Sequence, residues 1–151
     1  MGDAPDFSVA QWTEVKFKLG LDFPDSPYYL DNDETGLKLT NPKAIIKYIA
    51  LKHGPESLLG TTVEQKGTVE MLADILTDAA REATLMCYAK RPNREELAEK
   101  MLFRMESIEK YLEVNSSSKF LLGSEPCYAD FMLFELCERV QWITESKLFK
   151  Q

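Results

Sequence analysis

Few residues in this chain could do chemistry unaided. Histidine occurs once, at His53, and cysteine three times, at Cys87, Cys127 and Cys137. A single imidazole argues against a His-ligated metal and against Ser-His or Cys-His nucleophilic pairs. An odd number of thiols without CxxC spacing fits neither a disulfide framework nor a zinc site, and reads as buried thiols in a reducing compartment. What remains are polar and aromatic side chains at element ends and along helices: Trp12 and Lys16, Asp25-Ser26-Pro27, Asn41-Pro42, and Asp78 with Tyr88 on one helix. The last two stand ten residues apart, about 15 Å along a helix axis. On residue type alone, Trp12 and Lys16 read as one packed indole and one solvated ammonium. Asp78 reads as a solvated acid, Tyr88 equally as a core or a pocket tyrosine, and Pro42 as a good helix starter.

These residues need elements to position them. Ser8 to Leu19 predicts a short helix ended by Gly20. Phe23-Pro24-Asp25-Ser26-Pro27 cannot be regular structure, because each proline fixes φ and restricts its predecessor. Tyr28-Tyr29-Leu30 and Leu37-Lys38-Leu39-Thr40 read as two strands around the turn residues Asn32 to Gly36, which makes a hairpin. Asn41-Pro42 opens a helix, with Asn at the N-cap and Pro at the first helical position. His53 to Gly60 carries the Gly-Pro and Gly punctuation of a connector. From Gln65 to Tyr88, the residues Val69, Leu72, Leu76, Ala79, Ala83 and Cys87 recur at helical spacing and predict a core-facing stripe. A second stripe, Met71, Ile75, Asp78, Glu82 and Leu85, is interrupted by acids and suggests a face that meets another surface, with solvent as the alternative. Asn93 caps a further helix, with Glu96 three residues on and a seam of Leu97, Met101, Met105, Ile108 and Leu112. A last helix from about Cys127 has Phe131, Phe134, Leu136, Val140 and Ile143 as its apolar residues.

Several of these words resemble the mu class of the cytosolic glutathione transferases. They are Met1 to Phe7, Gln11-Trp12, Lys16 to Pro24, Pro27 to Asp31, Ala44 to His53, Met86-Cys87-Tyr88 and Tyr128-Ala129-Asp130-Phe131. The resemblance covers nearly the whole chain and is most specific in Lys16 to Pro24. It implies a fold that is α+β to mostly α: a partial thioredoxin-like domain (its third and fourth strands as a hairpin, with two helices), then an all-α helical bundle. The expected division is 1–53 for the glutathione-binding part, 54–63 for the linker, and 64–151 for the first part of the helical domain. On the same resemblance the chain begins after the β-α-β unit that carries the thiol-activating tyrosine and stops before the last helices, so no catalytic residue is assigned.

The implied roles fall on numbered positions. Trp12 and Lys16 match residues that hold the glycine end of glutathione, and both donate toward a carboxylate. Asp25 and Ser26 stand before the family's cis-proline, where the main chain at Ser26 would pair with the cysteinyl part like an added strand. Asn41-Pro42 occupies the place of a Gln-Ser pair that binds the γ-glutamyl carboxylate at a helix N-terminus. Proline brings neither hydroxyl nor N–H, and each lost charge-assisted hydrogen bond costs about 1.5–3 kcal/mol. Asp78 matches an acid that reaches the γ-glutamyl amine across a dimer, and Tyr88 a tyrosine lining the electrophile pocket. Val9 stands where the family has an arginine. Cys127 stands in place of a Ser or Thr helix cap, which predicts a weakened helix start.

Composition agrees with a globular protein: 44% hydrophobic and 28% charged residues exclude a disordered chain. The net charge of −7, with only scattered Lys and Arg, argues against nucleic acid. No apolar run is long enough for a bilayer, and the acidic N-terminus lacks signal-peptide order. The expectation is a cytoplasmic, homodimeric glutathione transferase that joins the glutathione thiol to hydrophobic electrophiles in detoxification, with glutathione as co-substrate and no metal. This chain is expected to be weak or inactive. The alternative is a non-catalytic dimerisation or ligand-binding module.

Overall fold

The computed structural model describes residues 8–87, 93–115 and 117–144. The chain divides into two compact units, 1–49 and 50–151, with the boundary inside a helix.

The first unit opens with α1 (Ala10–Val15), continued by a 3₁₀ turn over Lys16–Lys18. Gly20, at φ +66°, ends it as expected. Strands β1 (Tyr28–Leu30) and β2 (Lys38–Thr40) pair antiparallel, with Tyr28 opposite Thr40, Tyr29 opposite Leu39 and Leu30 opposite Lys38. Asp33 builds the turn: its Oδ1 accepts from the Thr35 amide at 2.9 Å, and its carbonyl from the Gly36 amide at 3.0 Å. Alternation puts Tyr28 and Tyr29 on opposite faces of the hairpin. Tyr28 stacks on Trp12 of α1, with ring centroids 5.7 Å apart and planes at 15°. Tyr29 meets Tyr48 of α2 (Pro42–His53) at 5.7 Å and 60°. The Tyr48 hydroxyl donates to Asp31 Oδ2 at 2.7 Å, and Lys38 Nζ donates to the Leu19 carbonyl at 2.8 Å. Side-chain contacts thus fasten every element of the unit to the hairpin, although Leu21 is its only buried apolar residue among those described.

The second unit holds the core. A 3₁₀ turn over Glu56–Leu59 leads to Gly60 at φ +86°, where an added Cβ would sit 2.8 Å from the Gln65 carbonyl carbon and the Lys66 nitrogen, so only glycine fits. Helix α3 (Val63–Cys87) starts two residues earlier than its apolar stripe suggests. The reason is a capping box: the Gln65 amide donates to Thr62 Oγ1 at 3.2 Å, and Gln65 Oε1 accepts from the Thr62 amide at 3.4 Å and also from the Thr61 amide at 2.9 Å. The expected stripe Val69, Leu72, Leu76, Ala79 and Ala83 is buried, joined by Ala73. Asn93 caps α4 (Arg94–Val114), its Oδ1 accepting from the Glu95 and Glu96 amides at 3.1 and 3.3 Å. From α4, Leu97, Met101 and Ile108 are buried, whereas Leu112 is 40% exposed.

Helix α5 (Tyr128–Ile143) starts where expected, directly after Cys127. Its buried residues are Tyr128, Ala129, Leu136, Val140 and Ile143, while Phe131 and Phe134 are exposed. A helix apolar on several sides does not declare which side faces the core. The start of α5 is also not left to the thiol. Asp130 accepts the Cys127 amide at 2.8 Å and the Leu121 amide at 2.9 Å, and takes the Cys127 S–H at 3.1 Å. Among the described residues no helix is long and apolar enough to cross a membrane.

Candidate functional site

The hairpin register assembles most of the candidate residues at one place. Because Tyr28 pairs with Thr40, the segment entering β1 (Asp25-Ser26-Pro27) and the segment leaving β2 (Asn41-Pro42) lie at the same end of the hairpin. The Ser26–Pro27 peptide bond is cis. Trp12, half-buried, reaches that end by stacking on Tyr28, the residue after Pro27. Lys16 follows one turn later, its Nζ 4.7 Å from the centroid of the Phe17 ring. Trp12, Asp25, Ser26, Asn41 and Pro42 are therefore brought to one end of the first unit. Val9, at the N-cap position of α1, is exposed and supplies no charge there.

Hydrogen bonds at this end are local. The Ser26 amide donates to Asp25 Oδ1 at 2.8 Å. Asn41 adopts φ +79° and caps α2 as expected, its Oδ1 accepting from the Lys43 amide at 3.1 Å and the Ala44 amide at 3.4 Å. The Ile45 amide closes onto the Asn41 carbonyl at 3.0 Å. Tyr28 was not singled out from the sequence as a site residue. Its signal was available: it directly follows the X-Pro turn and alternates with the inward Tyr29.

Asp78 is exposed on α3, in the second unit. Of its stripe, Met71, Ile75 and Leu85 are exposed, while Glu82 is engaged within the chain, its Oε2 accepting from Arg104 Nε of α4 at 3.1 Å. Beside this face lies a cavity of about 160 Å³ lined by Met71, Leu72, Ile75 and Leu76 of α3, Ser107, Ile108 and Tyr111 of α4, Leu121, and Leu133 of α5. The Tyr111 hydroxyl donates to the Leu121 carbonyl at 3.2 Å, and burial raises its pKa. Tyr88 lies outside the described residues.

Neither of the two described thiols offers a reactive centre, and the Cys87 side chain lies outside those described. Cys127 is fully buried, and its pKa is pushed up to about 12, first by burial and then by its hydrogen bond to Asp130. Burial also raises Cys137. Among the described residues no group of three or more His, Cys, Asp or Glu could hold a metal ion.

Comparison with known proteins points to one family. Residues 77–151 match the model of the glutathione S-transferase C-terminal domain. Over 149 residues, 98% of the chain, the sequence is 36% identical to glutathione S-transferase Mu 2 of Pongo abelii, of which it spans 65%. The chain belongs to the glutathione transferase family. Its similarity to other mu-class transferases runs at the same level: 36% identity to Mu 1 of Homo sapiens, covering 91% of this chain and 60% of that protein. Among solved glutathione transferases, the crystal structure of Blo t 8 superposes with a TM-score of 0.80 at 25% identity, covering 93% of this chain and 64% of that one. This transferase chain thus spans less than two thirds of the length of these relatives.

Proposed function

We propose that this chain carries part of a glutathione site and belongs to a cytoplasmic, detoxifying protein that conjugates the glutathione thiol to hydrophobic electrophiles. The observation that carries this reading is the hairpin register, which sets the cis Ser26–Pro27 turn, the start of α2 and the Trp12–Tyr28 stack at one end of the first unit. In this reading, Trp12 and Lys16 donate to the glycine carboxylate and the Ser26 main chain pairs with the cysteinyl part. Asp25 borders that turn, and Asp78 takes the γ-glutamyl amine of a ligand held by a second copy. Tyr88 lines the electrophile pocket. Binding lowers the cost of bringing thiol and electrophile together.

The site is weak in this chain. Pro42 removes an N–H and a hydroxyl where the γ-glutamyl carboxylate would sit. No residue of this chain is assigned the donor that activates the thiol. Residues 1–53 form the glutathione-binding part, 54–63 the linker and 64–151 the helical part.

Calorimetric titration of glutathione into the 151-residue protein tests the reading. Saturable but weak binding is expected, reduced in Lys16→Met, which removes the ammonium and keeps the stem. Absence of binding by folded protein removes the glutathione site from this chain and favours the second reading, a non-catalytic module. The cavity beside the exposed Met71 and Ile75 supports that module, because it gives the second stripe an apolar feature to offer a partner copy or a small hydrophobic ligand.

A further inference from the structure

The cavity in the second unit has no part in the glutathione reading, since none of the described residues assigned to glutathione lines it. It lies between α3, α4 and α5 and measures about 160 Å³. Leu72, Leu76, Ile108 and Leu121 are its buried walls, with Met71 and Ile75 half-exposed at its mouth. Protein interiors are close-packed and leave few voids larger than a water molecule, so a space of this size asks for an occupant. Water has the room but not the partners, of which it needs roughly two to four. Two side-chain oxygens belong to the lining, those of Ser107 and Tyr111. The Tyr111 hydroxyl already donates to the Leu121 carbonyl at 3.2 Å, and Ser107 is exposed. Among the described residues no buried side-chain nitrogen or oxygen lacks a hydrogen-bond partner, so none inside awaits a water. No charged side chain is among the described residues that line the space. An ion entering it would lose its hydration and gain no partner. An apolar cavity of about 150 Å³ in a protein interior stays dry and takes up benzene. Met71, with three rotatable bonds, can give way at the mouth to admit such a ring.

We propose that this cavity is a binding site for a small uncharged aromatic molecule of one ring, the size of benzene or toluene, gripped between the Leu and Ile side chains of α3, α4 and the loop before α5. This rests on the small-ligand reading above and gives it a seat and a chemical class. It does not depend on the glutathione site.

The test is methyl NMR of the 151-residue chain titrated with toluene and, separately, with benzoate, which carries the same ring and a charge. Toluene should shift the Leu72, Leu76, Ile108 and Leu121 methyls saturably, and benzoate should bind them at least about tenfold more weakly. Leu133→Phe fills the cavity from α5. Ser107→Phe closes it from the exposed rim and leaves the buried walls unaltered, so it carries the test if Leu133→Phe does not fold. In each folded variant, toluene affinity should fall at least about tenfold, because the ring forfeits its burial. Toluene without a saturable shift of these methyls, benzoate bound as tightly as toluene, or undiminished binding by folded Ser107→Phe overturns the proposal. So does toluene driven out as protein concentration rises and the mass doubles, which gives the cavity to a second copy. Glutathione bound with toluene ignored sinks the cavity site alone, and toluene bound with glutathione ignored sinks the glutathione site alone.

Discussion

Asp130 fastens the start of α5 through the half of a capping box that does not depend on the thiol at position 127. A sulfur accepts weakly, so a Cys N-cap leaves the first amides of a helix short of a partner. Here the carboxylate three residues on reaches back to the Cys127 amide and across to the Leu121 amide, so one side chain ties the helix start to the preceding loop. The same contact governs the thiol, which is enclosed by burial and donates its proton to Asp130 at 3.1 Å. Its pKa rises from an ordinary 9.0 to about 12, with burial the larger cause. The folded chain therefore keeps a proton that the unfolded chain releases above pH 9. This contribution to stability is present in full below about pH 9 and is lost as pH climbs toward 12, at up to about 1.4 kcal/mol per pH unit. Tyr128, raised by burial and by Glu70, acts in the same direction. Urea unfolding at successive pH values should show the wild-type midpoint falling more steeply above pH 9 than that of Cys127→Ser, whose hydroxyl does not titrate there. Parallel slopes would show that the buried thiol is not the titrating group.

At the scale of elements, a polar contact joins α3 and α5 through the core. Tyr128, the first residue of α5 and only 1% exposed, donates its hydroxyl to Glu70 Oε1 of α3 at 2.9 Å. A hydrogen bond to a charged group contributes about 1.5–3 kcal/mol, and Tyr128→Phe removes it while keeping the ring that fills the core. The expected result is a loss of that size in urea unfolding, with α5 still formed by circular dichroism. An unchanged midpoint would mean that water serves Glu70 equally well. Neither the burial of Tyr128 nor its partner was legible in the sequence, because a contact spanning 58 residues leaves no local signal. What was legible is what local chemistry decides. The hairpin followed from turn residues between alternating strands, the start of α2 from Asn-Pro, and the core stripe of α3 from its spacing. The outward turn of Phe131 and Phe134 was not legible, since periodicity reports an apolar side without saying what it meets. At the site, the residue words located Trp12, Ser26 and Asn41 and the N-cap role of Asn41, whereas the stacking of Trp12 on Tyr28 left no local signal.

The two units differ in how they are stabilised, and the difference bears on what the whole molecule needs. Among the described residues, the first unit buries only Leu21 and is held by ring contacts and hydrogen bonds around a two-stranded hairpin, a motif that is marginal by itself. The second has a continuous core across three helices. Yet that well-packed unit leaves Met71 at 50% and Ile75 at 46% exposure beside an apolar cavity, on the stripe that also carries Asp78. Apolar side chains grouped in this way mark contact surfaces more often than isolated ones do. In the homodimer reading, a second copy covers them, and removing their apolar character should cost association while leaving the fold intact. Sedimentation should then give the wild type a mass near twice 17.3 kDa, falling to the single-chain value in Ile75→Lys. Phe134→Lys, on an exposed apolar position of α5, should leave the larger mass unchanged and so separates a specific face from general stickiness. A wild type that sediments as one chain at every concentration would remove the dimer, and with it the role of Asp78 toward a ligand held by another copy. The cavity would then be left to a small hydrophobic ligand.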